Sequence, residues 1–313
     1  MLILLINLSR RPDRLAFMRN QLDALGLPFE RIDAIDGAVA NLGPRMGRIT
    51  SGEHACALSH RKAWERFVES GAPHCLVMED DALVAPQLKR FIENPPAFPP
   101  DMDILRLEAT PQHSILGRGR RGGLRGVKMH RLHSKQHGTA AYMVTRAFAQ
   151  HALKELVAFA APIDMVLFDP ASPGHYPSNT YQLRPGLCLQ AEFYGPARSS
   201  ALASSDLEIM RGPRPAPAKP APQSKAQRSI AEKCLREVDR WARRSRRQVE
   251  FHYARIVTGR AWRDVPFIGT VLPVAAAALV PPDPAHRPCA DATRPLPEPQ
   301  RCQPERSTMS LNR

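Results

Sequence analysis

Short segments rich in apolar residues alternate with helical patterns along the first half of the chain. The segments that predict strands are Leu2–Ile6, Phe29–Ile32, Cys75–Met78, Ile104–Leu107 and Ala140–Val144. Between them, apolar residues recur every three or four positions after Pro12, Ser51 and Arg146, which predicts helices that begin near these residues. Strands that alternate with helices at this spacing predict an α/β fold with a mostly parallel central sheet.

The composition changes after Met210. We predict a folded domain over residues 1–210, a Pro-rich linker over 211–224, a basic helical segment over 225–280 and a disordered Pro-rich tail over 281–313. The net charge of +14 divides unevenly: residues 1–210 hold 24 Lys and Arg against 21 Asp and Glu, and residues 211–313 hold 20 against 9. The basic charge therefore belongs mostly to the tail. Within the folded domain, the Gly- and Arg-rich residues 115–135 predict a mobile loop.

The cysteines and the apolar runs bear on the cellular compartment. Six cysteines are scattered without a C-x-x-C pair, which favours reduced thiols in the cytosol. The first apolar run is short and its arginines follow it, so it predicts a strand and not a signal peptide. A later apolar run over 267–280 contains Pro273 and falls short of the roughly 20 residues that a spanning helix needs. We expect a cytoplasmic protein that at most lies on a membrane surface.

Polar side chains follow several predicted strands. They are Asn7 with Arg10, Arg11 and Arg14; Asp33 with Asp36; the run Glu79-Asp80-Asp81; and Glu108. In open α/β sheets, ligands bind outside the carboxyl ends of the strands. Adjacent carboxylates about 4 Å apart repel by roughly 4 kcal/mol at a protein surface, and a divalent cation would relieve that repulsion. A metal site and a solvated acidic loop are both open interpretations of the run.

Several motifs together resemble one known family. They are INLSRRPDR, DAIDG (33–37), GEHACALSHRKAWE (52–65), LVMEDDALV, LRLEA (105–109), GTAAYMVTRAF (138–148), PIDMVLF (162–168), LRPGLCLQ (183–190) and SSDLE (204–208). In this order they resemble glycosyltransferase family 25, which includes bacterial lipooligosaccharide galactosyltransferases and collagen galactosyltransferases. The resemblance covers nearly all of residues 1–208.

The resemblance implies a GT-A-like nucleotide-sugar-binding fold, a UDP-sugar donor that is usually UDP-galactose, and inversion at the anomeric carbon. It makes Glu79-Asp80-Asp81 a DxD-like element in which Asp81, with Asp80, holds Mn²⁺ or Mg²⁺. We assign to the donor Asn7, Arg10, Arg14, Asp33 and Asp36, from their positions after the predicted strands, and Glu79 and Asp80 of the DxD-like element. A solvated helix start for the arginines and a simple turn for the two aspartates remain the alternatives. One departure is Phe193, which stands where a histidine ligand is expected.

The general base of an inverting transfer is a carboxylate that accepts the acceptor's hydroxyl proton. Asp164 in PIDMVLF and Glu108 in LRLEA both qualify by position in the motifs, and we prefer Asp164. Its apolar neighbours can raise a carboxyl pKa, although the same position also suits a helix-capping aspartate. His60 lies at helical spacing among apolar residues, which favours a packed or supporting role. Trp64 is predicted to be in the core.

These observations predict a metal-dependent enzyme that transfers a hexose, with galactose the first choice, from a UDP-sugar to a lipopolysaccharide or lipooligosaccharide acceptor. The alternative is a degenerate transferase domain in a non-enzymatic protein that binds an anionic surface or nucleic acid. The three retained acids favour the enzyme, and the few aromatic residues of 225–260 argue against nucleic acid. Apolar residues at roughly helical spacing among the arginines of that segment predict peripheral contact with the inner face of the inner membrane. A solvated charged helix is the other interpretation.

Overall fold

The computed structural model describes residues 1–40, 42, 49–172, 174–195, 200, 202 and 259–279. Within these ranges the strands are β1 (Leu2–Asn7), β2 (Glu30–Asp33), β3 (His74–Glu79), β4 (Ala82–Val84), β5 (Ile104–Arg106), β6 (Thr110–Arg121), β7 (Lys128–Leu132), β8 (Ala141–Thr145), β9 (Thr180–Arg184), β10 (Cys188–Gln190) and β11 (Ala261–Val265). The helices are α1 (Pro12–Ala24), α2 (Ser51–Glu69), α3 (Gln87–Glu93), α4 (Arg146–Glu155), α5 (Ile163–Phe168) and α6 (Pro273–Leu279), with a 3₁₀ turn at Ala191–Phe193. The SSDLE motif, the linker 211–224, residues 225–258 and the tail 281–313 lie outside the described residues.

Nine strands form one sheet in the order β11-β6-β7-β9-β5-β8-β3-β1-β2, and β10 and β4 form a small second sheet. Parallel pairing joins β1 to β2, β1 to β3 and β5 to β9, and the other pairs of the large sheet are antiparallel. The predicted α/β class is confirmed, and the sheet is mixed. Its parallel part, β2-β1-β3, places three strand ends at one edge.

Helices cover both faces of the sheet, and strand β1 shows why. Ile3 and Leu5 pack in one apolar cluster with residues of α1, whereas Leu4 and Ile6 pack in the other with residues of α2 and α4. Successive strand side chains point to opposite faces, so a strand buried on both sides is apolar at every position. Helix α2 begins with a capping box in which Thr50 is the N-cap, one residue before the predicted Ser51.

The prediction of a mobile loop over 115–135 is wrong. Most of these residues form the antiparallel hairpin of β6 and β7, whose turn contains the positive-φ residues Gly123 and Gly126. Strand β6 also pairs with β11, and β7 pairs with β9, so both strands have paired backbone on each side. Met129 and Leu116 are buried. Ladder hydrogen bonds and these buried side chains outweigh the flexibility that glycine and arginine suggested.

Part of the segment predicted to be basic and helical is instead integrated with the sheet. Residues 261–265 form the edge strand β11, which pairs with β6. Helix α6 packs on α1, and Leu272, Ala275 and Leu279 are buried there. Residues 267–279 of the apolar run therefore cover the domain's own surface. No helix in the described ranges is long and apolar enough to cross a membrane.

Candidate active site

The acidic run lies where strands β1 and β3 end side by side. Parallel pairing sets Ile6 opposite Glu79 and Asn7 opposite Asp33. Strand β3 is fully buried from Cys75 to Met78, so the polar residues begin at the point where the strand leaves the core. Asp80 and Asp81 are the two residues between β3 and β4, which begins at Ala82, so both lie at the edge of the sheet where β3 ends.

Asp80 is buried and held by two residues of the first strand-helix connection. Arg14 Nη1 lies 3.0 Å from one carboxylate oxygen, and Asn7 Nδ2 donates to the other at 2.7 Å. Pro12 starts α1, which places Arg14 in its first turn with its side chain buried. Burial raises the pKa of Asp80, while the Arg14 charge and the Asn7 hydrogen bond oppose the rise. Both oxygens of Asp80 are therefore oriented by the protein.

Asp81 has the most unfavourable electrostatic setting of the three acids. Burial raises its pKa well above the ordinary value, and repulsion from Glu79, Asp80 and Glu108 adds to the rise. Its Oδ1 atom is buried and has no hydrogen-bond partner among the described residues. Its backbone carbonyl accepts a hydrogen bond from Ala191 at 2.9 Å. An unpaired carboxylate oxygen surrounded by like charges fits a divalent cation with oxygen ligands.

Glu79 ends a chain of buried hydrogen bonds. It accepts from Thr139 Oγ1, and His60 Nε2 lies 3.2 Å from its Oε1 atom. The other ring nitrogen of His60 lies 2.8 Å from the Tyr142 hydroxyl, which accepts from Trp64 Nε1 at 3.1 Å. Burial alone would raise the pKa of Glu79, but the hydrogen bonds from His60 and Thr139 hold it below the ordinary value. Glu79 is therefore an ionised carboxylate with a fixed orientation.

A pocket opens over this acidic run. Its lining consists of the end of β1 and the loop after it, the first turn of α1, the loop after β2, the first three turns of α2, the acidic run and one residue of β10: Ile6, Leu8, Arg10, Arg14, Ala34, Ile35, Asp36, Gly37, Gly52, Ala55, Cys56, Ser59, His60, Glu79, Asp80, Asp81 and Gln190. Arg10 pairs with Asp36 at 2.6 Å on its rim. Asp33 is not in this lining, because its exposed carboxylate accepts hydrogen bonds from Ser9 and Arg31. Arginines and acids thus meet in one pocket.

Glu108 lies in a buried ion pair beside the acidic run. Arg106 Nη2 is 3.2 Å from Glu108 Oε2 and also donates to the carbonyl of His137 at 2.9 Å. The Arg106 guanidinium stacks over the Phe168 ring, with 4.7 Å between its central carbon and the ring centroid. Glu108 also accepts from the Ala140 backbone N–H at 3.1 Å. Burial raises the pKa of Glu108 to about 7, against the Arg106 charge.

Asp164 lies at the start of α5, next to the same 137–140 segment. It is the second residue of α5, whose N-cap is Pro162 without a side-chain cap hydrogen bond, so the capping alternative does not hold; its Oδ1 accepts from the Met165 N–H at 2.8 Å. Its Oδ2 lies 3.3 Å from both the Gly138 N–H and the His137 ring. The side chain is 20% exposed, whereas that of Glu108 is 1% exposed. Of the two candidate bases, only Asp164 has a carboxylate that solvent reaches to this extent.

The sequence of this chain matches the model of one protein family. The family model described as "Glycosyltransferase family 25 (LPS biosynthesis protein)" matches residues 1–167, more than half of the 313-residue chain. The chain belongs to glycosyltransferase family 25. The matched residues include the pocket loops, the acidic run, Glu108 and Asp164.

Named relatives of this family 25 glycosyltransferase come from bacteria and insects. It is similar to "Lacto-N-neotetraose biosynthesis glycosyltransferase LgtB" of Neisseria meningitidis serogroup A, with 28% identity over 220 residues that cover 64% of this chain and 78% of the relative. "Lipooligosaccharide biosynthesis protein lic2B" of Haemophilus influenzae is 26% identical over 206 residues, covering 59% and 74%. A "Glycosyltransferase 25 family member" of Aedes aegypti is 36% identical over 106 residues, covering 29% and 18%.

A solved glycosyltransferase involved in glycosylation of the major capsid of PBCV-1 aligns with 61% of this chain and 92% of its own, at 10% identity and a TM-score of 0.37.

The family 25 chain has pocket residues that sequence reasoning missed. Cys56, Ser59 and Gln190 line the pocket, and Thr139 donates a hydrogen bond to Glu79. The spacing of Cys56, Ser59 and His60 on one predicted helix was the available signal, because residues three and four apart share a helix face. The fully buried Trp64 confirms the core prediction. Phe193 is exposed and, as a hydrocarbon side chain, cannot supply the expected metal ligand.

Proposed function

We propose that this glycosyltransferase transfers a hexose, with galactose the first choice, from a UDP-sugar to the oligosaccharide of a lipopolysaccharide or lipooligosaccharide acceptor, with inversion. The names of the Neisseria and Haemophilus relatives support the acceptor class. The observation that carries the proposal is the buried, unpaired carboxylate oxygen of Asp81 in a pocket that arginines border. A nucleoside diphosphate needs both a cation and guanidinium groups of this kind.

Asp81 is the residue we expect to hold Mn²⁺ or Mg²⁺. Such a cation would supply Lewis-acid stabilisation of the diphosphate that leaves the sugar. Arg14 and Asn7 fix the carboxylate of Asp80. We therefore propose that Asp80 positions the acidic run and adds negative charge beside the cation at Asp81. Glu79 is held by His60 and Thr139, and its role is to orient the donor or a water molecule in the pocket.

The rim of the pocket is suited to the nucleotide part of the donor. Arg10 and Asp36 lie opposite the acidic run, in the loops that follow β1 and β2. A guanidinium donates to phosphate oxygens, and a carboxylate accepts from ribose hydroxyls. We therefore propose that Arg10 and Asp36 contact the diphosphate and ribose. Asn7 acts on the donor site indirectly, through its hydrogen bond to Asp80. Asp33 lies outside the pocket lining.

Asp164 is our choice for the general base. A base must come within hydrogen-bonding distance of the acceptor hydroxyl, and the Asp164 carboxylate is accessible to solvent, whereas that of Glu108 is enclosed. Glu108 and Arg106 instead fix the 137–140 segment, which presents Thr139 to Glu79 and Gly138 to Asp164. The proton passes from the acceptor oxygen to Asp164 as that oxygen bonds to the anomeric carbon and the bond from that carbon to the UDP oxygen breaks, releasing UDP.

A panel of UDP-sugars, assayed with a lipooligosaccharide acceptor in the presence and absence of Mn²⁺, tests this proposal. We expect one UDP-hexose to be preferred and activity to be lost in EDTA. Asp81→Asn keeps the side-chain volume but removes a charge, so activity should fall at least about a hundredfold. The matched control is Asp23→Asn, at an exposed position of α1. Full activity in EDTA, or an unimpaired Asp81→Asn enzyme, contradicts the metal assignment.

The setting of the reaction is also a proposal. A glycolipid acceptor lies in a membrane, and the basic residues of 225–258 would hold the enzyme at the inner face of the inner membrane. Full-length protein should sediment with anionic vesicles, and its binding should weaken as salt rises. Glutamates in place of Arg243, Arg244, Arg246 and Arg247 should abolish sedimentation and leave sugar-nucleotide hydrolysis intact. Unchanged sedimentation contradicts the role of the tail.

A further inference from the structure

Three side chains that can bind a metal lie close together in the pocket lining: a thiol, an imidazole and a carboxylate. Cys56 and His60 lie one turn apart on α2, and Glu79 ends β3. One ligand atom from each residue lies within 4.8 Å of the other two. His60 Nε2 and Glu79 Oε1 are already 3.2 Å apart, which is close to the separation of two ligands on one small cation. Cys56 is a free thiol, and all three residues line the pocket.

We propose that Cys56, His60 and Glu79 form a binding site for a soft divalent cation of the Zn²⁺ class. Thiolate and imidazole ligands favour Zn²⁺ and Co²⁺, whereas Mg²⁺ and Mn²⁺ prefer sites made of oxygen atoms. Residues spaced i and i+4 on a helix present their ligands on one face, so α2 supplies two ligands without rearranging its backbone. Three protein ligands leave a fourth position that faces the pocket, as in zinc sites that bind water or substrate.

The surrounding hydrogen bonds suit this role. A cation at His60 Nε2 requires the ring proton on Nδ1, where the Tyr142 oxygen, 2.8 Å away, accepts it. Trp64 in turn fixes Tyr142, so the imidazole plane is set by buried residues. Thr139 contacts the same oxygen of Glu79 that faces His60 and so orients the carboxylate. Such outer contacts fix the ring orientation of metal-binding histidines.

This inference goes beyond the proposed transfer reaction. The site uses sulfur and nitrogen atoms, and none of its three residues is Asp81, the expected ligand of Mn²⁺ or Mg²⁺. Because Glu79 belongs to the acidic run, a soft cation bound here would occupy the pocket that the donor diphosphate is proposed to enter, and it would compete with or modify donor binding. Its existence does not depend on which sugar the enzyme transfers.

Cobalt absorption by the full chain tests the site directly. Co²⁺ bound to a thiolate gives an intense near-ultraviolet charge-transfer band, whereas Co²⁺ bound only by carboxylates does not. We expect native protein to show the band together with visible transitions typical of a four-coordinate ion. Cys56→Ala should remove the band, and His60→Asn should raise the Kd for Co²⁺ by about a hundredfold, at the upper end of the loss seen for supporting residues. Excess Zn²⁺ should displace the cobalt.

The matched control is Cys75→Ala, because Cys75 is a buried thiol on β3 without this ligand set. It should keep the band. Circular dichroism establishes that each variant is folded, and Cys56→Ser provides a second variant of similar size that should also lack the band. Absence of the band from native protein, or its persistence in folded Cys56→Ala and Cys56→Ser, overturns the proposal. The readout is binding, so its failure is distinct from a failure of sugar transfer.

Discussion

The pocket and the β6–β7 hairpin are both rich in charged residues, yet they use charge in opposite ways. Around the pocket, two pairs of charged side chains are buried: Arg14 with Asp80 and Arg106 with Glu108. In the hairpin, five basic side chains are exposed and form no ion pair with any described residue: Arg118, Arg120, Arg121, Arg125 and Lys128. No Asp or Glu occurs between Glu108 and Glu155.

The difference follows from solvent. An exposed guanidinium keeps its hydration and costs the fold almost nothing, so the hairpin tolerates a run of like charges. A buried charge loses its hydration, which several kcal/mol of pairing must offset, and it persists only where partners surround it. The number of charged residues in a segment therefore does not predict their roles, whereas the burial of each charged side chain indicates whether the fold depends on it. The following experiments measure this contrast.

The largest difference should come from two arginine substitutions. Arg106→Leu removes the counter-charge of buried Glu108, and we expect it to lower the free energy of unfolding by about 3–5 kcal/mol. Arg120→Leu, on the exposed side of the hairpin, should change that free energy by no more than about 0.5 kcal/mol. Urea denaturation of both variants measures the contrast. Equal losses would mean that burial does not separate the two regions.

The pH dependence of stability should reveal the buried carboxyl of Glu108. Its pKa rises from 4.5 to about 7 on folding, so the folded state binds more protons than the unfolded state between these values. Its contribution to stability is therefore fully present below pH 4.5 and is lost as the pH rises through 7. The full loss is about 3 kcal/mol at 1.36 kcal/mol per pKa unit. Denaturation midpoints of Glu108→Gln should vary less across this window than those of native protein, and an equal slope would contradict the assignment.

Within the acidic region, the partly exposed carboxylate of Asp164 and the enclosed one of Glu108 should respond differently to substitution. Asp164→Asn should lower kcat by about a hundredfold or more with little change in the KM for the UDP-sugar, because a general base acts in the transition state. Glu108→Gln should keep measurable turnover. Steady-state kinetics of the two variants decide the matter. If Glu108→Gln were inactive and Asp164→Asn were active, Glu108 would be the general base and Asp164 would not.

Two glycines offer the smallest and most closely matched test. Gly138 and Gly126 have positive φ values of 83° and 78°, so alanine at either should cost about 1–2 kcal/mol from backbone conformation alone. A Cβ atom at Gly138 would lie 2.5 Å from Glu108 Oε1, whereas one at Gly126 would meet nothing within 4 Å. Gly138→Ala should therefore cost about 1–3 kcal/mol more than Gly126→Ala in thermal or urea denaturation. Similar losses would show that Glu108 can move aside.

Local patterns in the sequence predicted much of the fold. The five segments became β1, β2, β3, β5 and β8 within a few residues. For β1 and β3 the reason is that a strand buried on both faces is apolar at nearly every position. The β6–β7 hairpin was missed because its identity depends on partners: β11 comes from residues more than 140 positions later in the chain. The composition of residues 115–135 predicted a loop, but backbone pairing places most of them in strands.

Local sequence was enough to predict the α/β class, the position of Glu79-Asp80-Asp81 directly after a buried strand, and the resemblance to family 25, since each depends on residues close together in the chain or on motif order. Folding, in contrast, selects the partner of each acid: Arg14 contacts Asp80 across 66 positions of the chain, and His60 contacts Glu79 across 19. It also separated the exposed Asp164 from the enclosed Glu108. Desolvation and pairing depend on which strands become neighbours, and no local pattern encodes that.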